Sequence, residues 1–137
     1  MKRLWYYTSV NEIEKSIRYG KINLPKVGNP PSIGLSANPV FDIPPDIVNI
    51  EDMFHEIPIK LIKWARVEIL TGDGLIDWAT YKNLAGIPED SSRTIEQWAI
   101  EDGANPKDWF YIAKNIPQNQ WRNIEYLKGG KWTEFTI

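Results

Sequence analysis

Leu4-Trp5-Tyr6-Tyr7-Thr8-Ser9 is the stretch whose reading decides the fold. Alternation along an extended chain puts Leu4, Tyr6 and Thr8 on one face and Trp5 and Tyr7 on the other, so aromatic rings cover both sides. A strand covered on both sides belongs in the middle of a sheet. Ser9 then reads as an N-cap, with Glu12 three residues on completing a capping box, and Val10, Ile13 and Ile17 form an apolar stripe. Gly20 supplies the left-handed conformation that closes a helix, which predicts a helix over Val10–Tyr19. The chain thus opens strand, tight cap, helix, and continues into the segment 21–24.

Outward from that opening, residues 25–32 form a loop, because their prolines and glycine deny both helix and ladder continuity. A short strand follows over Ile33–Ser36 and ends in Ala37-Asn38-Pro39, where the residue before proline is pushed out of the helical region. Gly34 inside it marks close approach of another backbone or a ligand. Residues 41–58 contain five acids (Asp42, Asp46, Glu51, Asp52 and Glu56), no Lys or Arg, and the Pro44-Pro45 break; they read as an ordered surface segment or a lid.

The strand predicted over 60–70 sets an apolar face of Ala65, Val67 and Ile69 against Trp64, Arg66 and Glu68. Arg66 and Glu68 read as an exposed ion pair of small energetic worth. Thr71-Gly72-Asp73-Gly74 is a turn, too short for a phosphate-binding loop. Two helices follow. One spans 77–85, with Trp78, Tyr81 and Leu84 on one face. The other runs from about 93 to 102 after a start signal at Asp90 or Ser91, with Ile95, Trp98 and Ala99 on its buried face and Gly103 as its stop. Residues 109–113 are a strand, and 123–127 and 131–135 flank Gly129-Gly130 as a terminal hairpin. Five to seven strands and about three short helices, without regular alternation, indicate one α+β domain over 1–137 with a mainly antiparallel sheet.

Composition narrows the chemistry. The chain has no cysteine, which removes disulfides, thiol nucleophiles and thiolate metal sites together. A net charge of -2 argues against a general phosphate-backbone binder, so nucleic acid is not an expected partner. The residues after Met1-Lys2-Arg3 are no apolar signal region and no run reaches membrane-spanning length, so the expectation is a soluble, cytoplasmic protein without membrane association. Seven tryptophans and six tyrosines are the unusual feature. Most belong to the core, and a few are candidates to line a ligand groove, since aromatic faces hold planar rings well.

No motif selects a reaction. His55 is the only histidine, no Gly-x-Ser-x-Gly elbow accompanies it, and the acids beside it read as solvated rather than metal-ligating. Eighteen acids offer many carboxylate pairs, and no spacing picks one.

The opening Leu4-to-Ser9 strand, the helix, Gly20-Lys21-Ile22 and Ile33-Gly34-Leu35-Ser36-Ala37-Asn38-Pro39 resemble the start of small ADP-ribosyltransferase-like domains. Those domains often begin Leu-aromatic-His-aromatic-Thr-Ser and continue through a helix to an apolar-Leu-Ser-Thr strand. The later half, with Asp108-Trp109, Ile116-Pro117, Trp121 and the hairpin, is similar to uncharacterised bacterial and phage proteins that share this opening. The resemblance implies a split antiparallel sheet gripping NAD or a related nucleotide. Tyr6 stands in the histidine position and Ser36 in the Leu-Ser-Thr position, with Ala37 in place of threonine. Tyr6, Tyr7, Ser36 and Asn38 would then hold the cofactor. Glu125, or in its place Gln120, would stabilise oxocarbenium charge during transfer to a macromolecule, with Tyr6 beside it.

Three functional classes follow: an NAD-using transferase, a nucleotide-binding module without turnover, and a protein-binding inhibitor or adaptor that works through exposed aromatic surface. A cleft joining Tyr6, Ser36 and Glu125 favours the first two. An aromatic patch away from them favours the third.

Overall fold

β1 (Lys2–Ser9) runs directly into α1 (Val10–Tyr19), as the capping residues dictate. Ser9 Oγ accepts from the Glu12 amide at 3.2 Å, and Gly20, at φ 71°, closes the helix. The other half of a capping box is replaced by a surface pair, in which Lys15 Nζ donates to the Glu12 carboxylate at 3.2 Å. The structure, a computed structural model, describes residues 2–26, 31–45 and 63–135.

After β2 (Lys21–Ile22) and β3 (Ile33–Ser36) come β4 (Trp64–Thr71) and β5 (Leu75–Asp77). Two helices, α2 (Trp78–Leu84) and α3 (Glu89–Glu101), lead to β6 (Trp109–Ile112), β7 (Ile116–Pro117) and the hairpin of β8 (Trp121–Lys128) and β9 (Lys131–Glu134). The described strands form a seven-stranded sheet, ordered β5-β6-β3-β1-β4-β8-β9, and a two-stranded one of β2 and β7. All the pairings are antiparallel, and β1 is central, as its two-sided aromatic cover predicts.

The large sheet is not flat. β1 and β4 share eight registered pairs and β3 and β6 share four, whereas β1 and β3 meet in register only at Trp5↔Ser36. The turn after β4 supports the same conclusion. From Thr71 to Leu75 the chain can reach about 14 Å at most, whereas in a flat sheet β4 and β5 would lie four strand spacings, about 19 Å, apart. Two sub-sheets, β5-β6-β3 and β1-β4-β8-β9, therefore bend toward each other about the Trp5↔Ser36 pair. Lys2 Nζ accordingly lies 4.3 Å over the Phe110 ring of β6.

Each face has its own core. On one, Leu4, Ala65, Val67, Ile69, Leu35 and Ile112 pack with Ile13 of α1, Ile22, Ile116 and Trp121. On the other, α2 and α3 bring Trp78, Tyr81 and Ile95 onto Trp109 and Tyr111. Tyr81 stacks on Tyr111 with ring centroids 3.8 Å apart.

Three packing expectations are corrected. α3 begins at Glu89, earlier than the acid and serine signals at 90–91 place it, with Ser92 and Ile95 as its buried residues. Trp98, expected inside, is 40% exposed, because the second cluster is already filled by Trp78, Trp109 and Tyr111. Leu84 likewise points outward.

Candidate functional site

The polar groups of the sheet converge on the Trp5 face of β1 and β4, and the register explains why. Tyr7 lies opposite Arg66, Trp5 opposite Glu68, and Arg66 opposite Glu125, so alternation places all of them on one face. Trp5↔Ser36 carries that face across the bend onto β3.

Arg66 is the centre of the site. It is 8% exposed, and its Nε donates to Glu125 Oε1 at 3.0 Å, with Nη2 also 3.0 Å from that oxygen. Its Nη1 donates to the Pro39 carbonyl and approaches the Tyr7 hydroxyl at 3.5 Å. The guanidinium lies 4.5 Å from the Trp132 ring centre and 5.6 Å from that of Trp5, within cation–π range of both. Glu68 is buried beside it, accepting from Arg3 Nε and from Asn123 Nδ2 at 2.7 Å. The exposed Arg66–Glu68 pair expected from sequence is thereby corrected. Both are buried on a central strand, and each takes a partner from another strand.

Over the junction of the sub-sheets lies a strap, residues 37–45, pinned by side chains from below. Tyr7 donates to the Asn38 carbonyl, Arg66 to that of Pro39, Trp132 Nε1 to that of Val40 at 2.7 Å, and Tyr111 to that of Pro45. In return Asp42 enters the sheet face. Its Oδ2 accepts from Ser36 Oγ at 2.6 Å and Trp109 Nε1 at 2.9 Å, while Ser36 Oγ accepts from the Asn38 amide at 3.0 Å. Burial pushes the Asp42 carboxyl above its ordinary value, against the opposing pull of the Ser36 and Trp109 hydrogen bonds. Burial also pushes the Tyr7 hydroxyl up to about 12, although Arg66 favours the phenolate, so Tyr7 remains a donor throughout the neutral range. The close approach expected at Gly34 is made by this strap: a Cβ there would lie 3.3 Å from Pro44 Cβ.

The residues singled out in the sequence are thus divided. Tyr7, Ser36, Asn38 and Glu125 are brought to one network. Tyr6 is not: it lies on the opposite face, opposite Val67, packed against the cluster that includes Ile13 of α1. Tyr6 and Glu125 are therefore separated by the sheet. Gln120 lies at the end of the single-turn 3-10 helix before β8. His55 and the acids Asp46, Glu51, Asp52 and Glu56 lie outside the described residues.

Sequence reasoning missed Arg66, Asp42 and Trp132 as members of this site. A signal existed for Arg66: a charge on a strand paired with a two-sided aromatic strand has little route to solvent and needs a buried partner. Asp42 and Trp132 gave no comparable signal.

Beside the strap runs a groove of about 510 Å³, bounded by Val40, Phe41 and Ile43 on one side and by Trp98 and Asp102 of the α3 end on the other. Val40 is 71% exposed, and Phe41, Ile43 and Trp98 are each more than a third exposed. Phe41 also turns its ring toward Tyr7 and Trp64, at centroid distances of 5.4 and 5.0 Å. No protein-family model, curated protein or solved structure matches the chain. Among the described residues, no helix is long and apolar enough to cross a membrane, and no group of three His, Asp or Glu side chains could hold a metal ion.

Proposed function

We propose that this chain is a binding module that engages a protein partner through the groove between the strap and α3, as an inhibitor or adaptor does, without catalysing ADP-ribosyl transfer. The observation that carries this reading is the exposed row Val40, Phe41 and Ile43 on a strap whose carbonyls are already fixed, with the exposed Trp98 of α3 across the groove from it. Apolar side chains held rigidly at the surface lose little entropy on binding, and large exposed rings with a polar rim are the usual anchors of protein interfaces. Against transfer stands the division of the candidate catalytic pair: Tyr6 and Glu125 face opposite ways, and Glu125 is taken by Arg66.

The test is site-specific photo-crosslinking in the native cell, with a photoreactive phenylalanine at position 98 and, as control, at the exposed Tyr19. One protein adduct specific to position 98 and reproduced with purified components is the expected result. Equal adducts at both positions, or none at 98, would sink the reading.

A second reading is favoured by one observation, the Arg66 guanidinium placed by the Trp5 and Trp132 rings at the bend of a split sheet. It is the ADP-ribosyltransferase-like module that binds NAD or a related nucleotide, with Tyr7, Ser36, Asn38 and Glu125 on the ligand side. Calorimetric titration with NAD, ADP-ribose and other nucleotides distinguishes it. Saturable binding abolished by Glu125→Ala, and not by Trp98→Ala, would move the conclusion to this second reading.

A further inference from the structure

We infer that the strap–α3 groove takes a cationic segment of a partner protein, one large apolar side chain seated between Ile43 and Trp98 with Lys or Arg beside it reaching Asp102. This inference rests on the protein-binding reading and specifies the partner's chemistry.

Charge carries the argument. Helix α3 holds four acids against one arginine, and its C-cap residue Asp102 is a fifth acid. Of these, Glu89 is paired with Arg93 at 2.5 Å, and Glu96 accepts from Lys82 at 3.2 Å and from Trp78 Nε1 at 2.8 Å. Glu101 and Asp102 stand at the C-terminal end, whose last turn contains no basic residue. That placement opposes the helix: its C-terminus carries about half a negative charge, so acids there cost rather than stabilise. The negative potential of Asp102 adds to that of the helix end at the mouth of the groove. Among the described residues lining the groove, Asp102 is the exposed acid, Asp42 is buried under the strap, and none is Lys, Arg or His. An apolar trough with a one-signed rim selects an apolar anchor flanked by the opposite charge. A second copy of this acidic chain would bring like charge to the same rim.

The geometry also fixes where the parts of the segment go. Val40 and Ile43 are presented by a strap held through Trp132, Arg66 and Tyr111, and Trp98 by a helix docked through Ile95. The apolar wall is therefore set before binding. Asp102 lines the same groove at its helical end, one turn of α3 beyond Trp98. A cation within about one helical turn of the anchor reaches it.

The experiment uses three fluorescently labelled twelve-residue peptides with the same Leu-Trp anchor, flanked by Lys and Arg, by Ser and Gln, or by Glu. Their anisotropy is measured against the full chain. The cationic peptide is expected to bind at least tenfold more tightly than the neutral one, and the acidic one not at all. Raising salt from 50 to 500 mM should weaken the cationic peptide at least tenfold. Asp102→Lys should do the same, and Ile43→Ser should weaken cationic and neutral peptides alike, whereas Tyr19→Ala should change nothing. Both groove substitutions are at the surface, and unchanged circular dichroism confirms the fold. Equal binding of all three peptides, no response to Asp102→Lys, or no binding of the cationic peptide overturns the inference. So does self-association that the groove substitutions abolish. A partner crosslinked at position 98 while the cationic peptide fails would leave the binding reading standing and remove only its proposed chemistry.

Discussion

Asp42 shows how a single side chain can join two parts of the structure. It belongs to the strap, yet its carboxylate is the shared acceptor for Ser36 of β3 and Trp109 of β6. Asp42→Ala leaves both donors buried without a partner, and a loss of about 2–3 kcal/mol in urea denaturation is expected. Asp42→Asn keeps an oxygen that can accept from both and should cost less. Because the folded state holds the Asp42 proton more tightly than the unfolded chain, the carboxyl's contribution is fully present below the ordinary value of 3.8 and is lost as pH rises through its raised value. The stability of the native chain relative to Asp42→Asn should therefore fall across that window. Tyr7 follows the same sign at the other end of the scale. Its contribution is present below 10.0 and lost as pH rises toward about 12. Tyr7→Phe should cost about 1 kcal/mol at neutral pH, and denaturation curves of the two proteins should draw together above pH 10.

At the scale of elements, the strap and β3 depend on each other through a close contact. Pro44 packs so closely over Gly34 that a Cβ there would lie 3.3 Å from the proline ring, and strap or strand would have to give by a few tenths of an ångström. Gly34→Ala should destabilise by about 1–2 kcal/mol and speed amide exchange in the strap more than in α1. The hairpin at the other edge has a simpler cause. Gly129 and Gly130 have φ of 56° and 77°, the two positive angles that a tight two-residue turn requires, and β8 and β9 pair from Glu125↔Glu134 to Lys128↔Lys131. The short elements whose ends depend on local chemistry were legible for this reason: Ser9, Gly20, Asp77 and the glycine pair act on their immediate neighbours. The inner face of α3 was not, because Trp98 has the spacing of a core residue and is excluded only by rings that arrive from α2 and β6.

For the whole molecule, β1 and β4 share the longest registered pairing, lie in the middle of the sheet and are covered on both sides. Hydrogen exchange should find the slowest amides at residues 4–8 and 65–69, and β9 at the sheet edge should exchange first among the long strands. Slowest exchange at β5 or β9 would refute that order. The sequence by itself determined β1, α1, β3, β4, α2, β6 and the terminal hairpin, the central place of β1 and the antiparallel α+β class, because each follows from periods and caps that span only a few residues, whereas the short strands β2, β5 and β7 were not read from it. Tertiary structure alone decided that the sheet bends at Trp5↔Ser36, that Tyr6 and Glu125 face opposite ways, that Arg66 is enclosed by rings from β1 and β9, and that Asp42 is buried under its own strap. These depend on register between segments up to about a hundred residues apart, and a one-residue change in register turns every side chain to the other face.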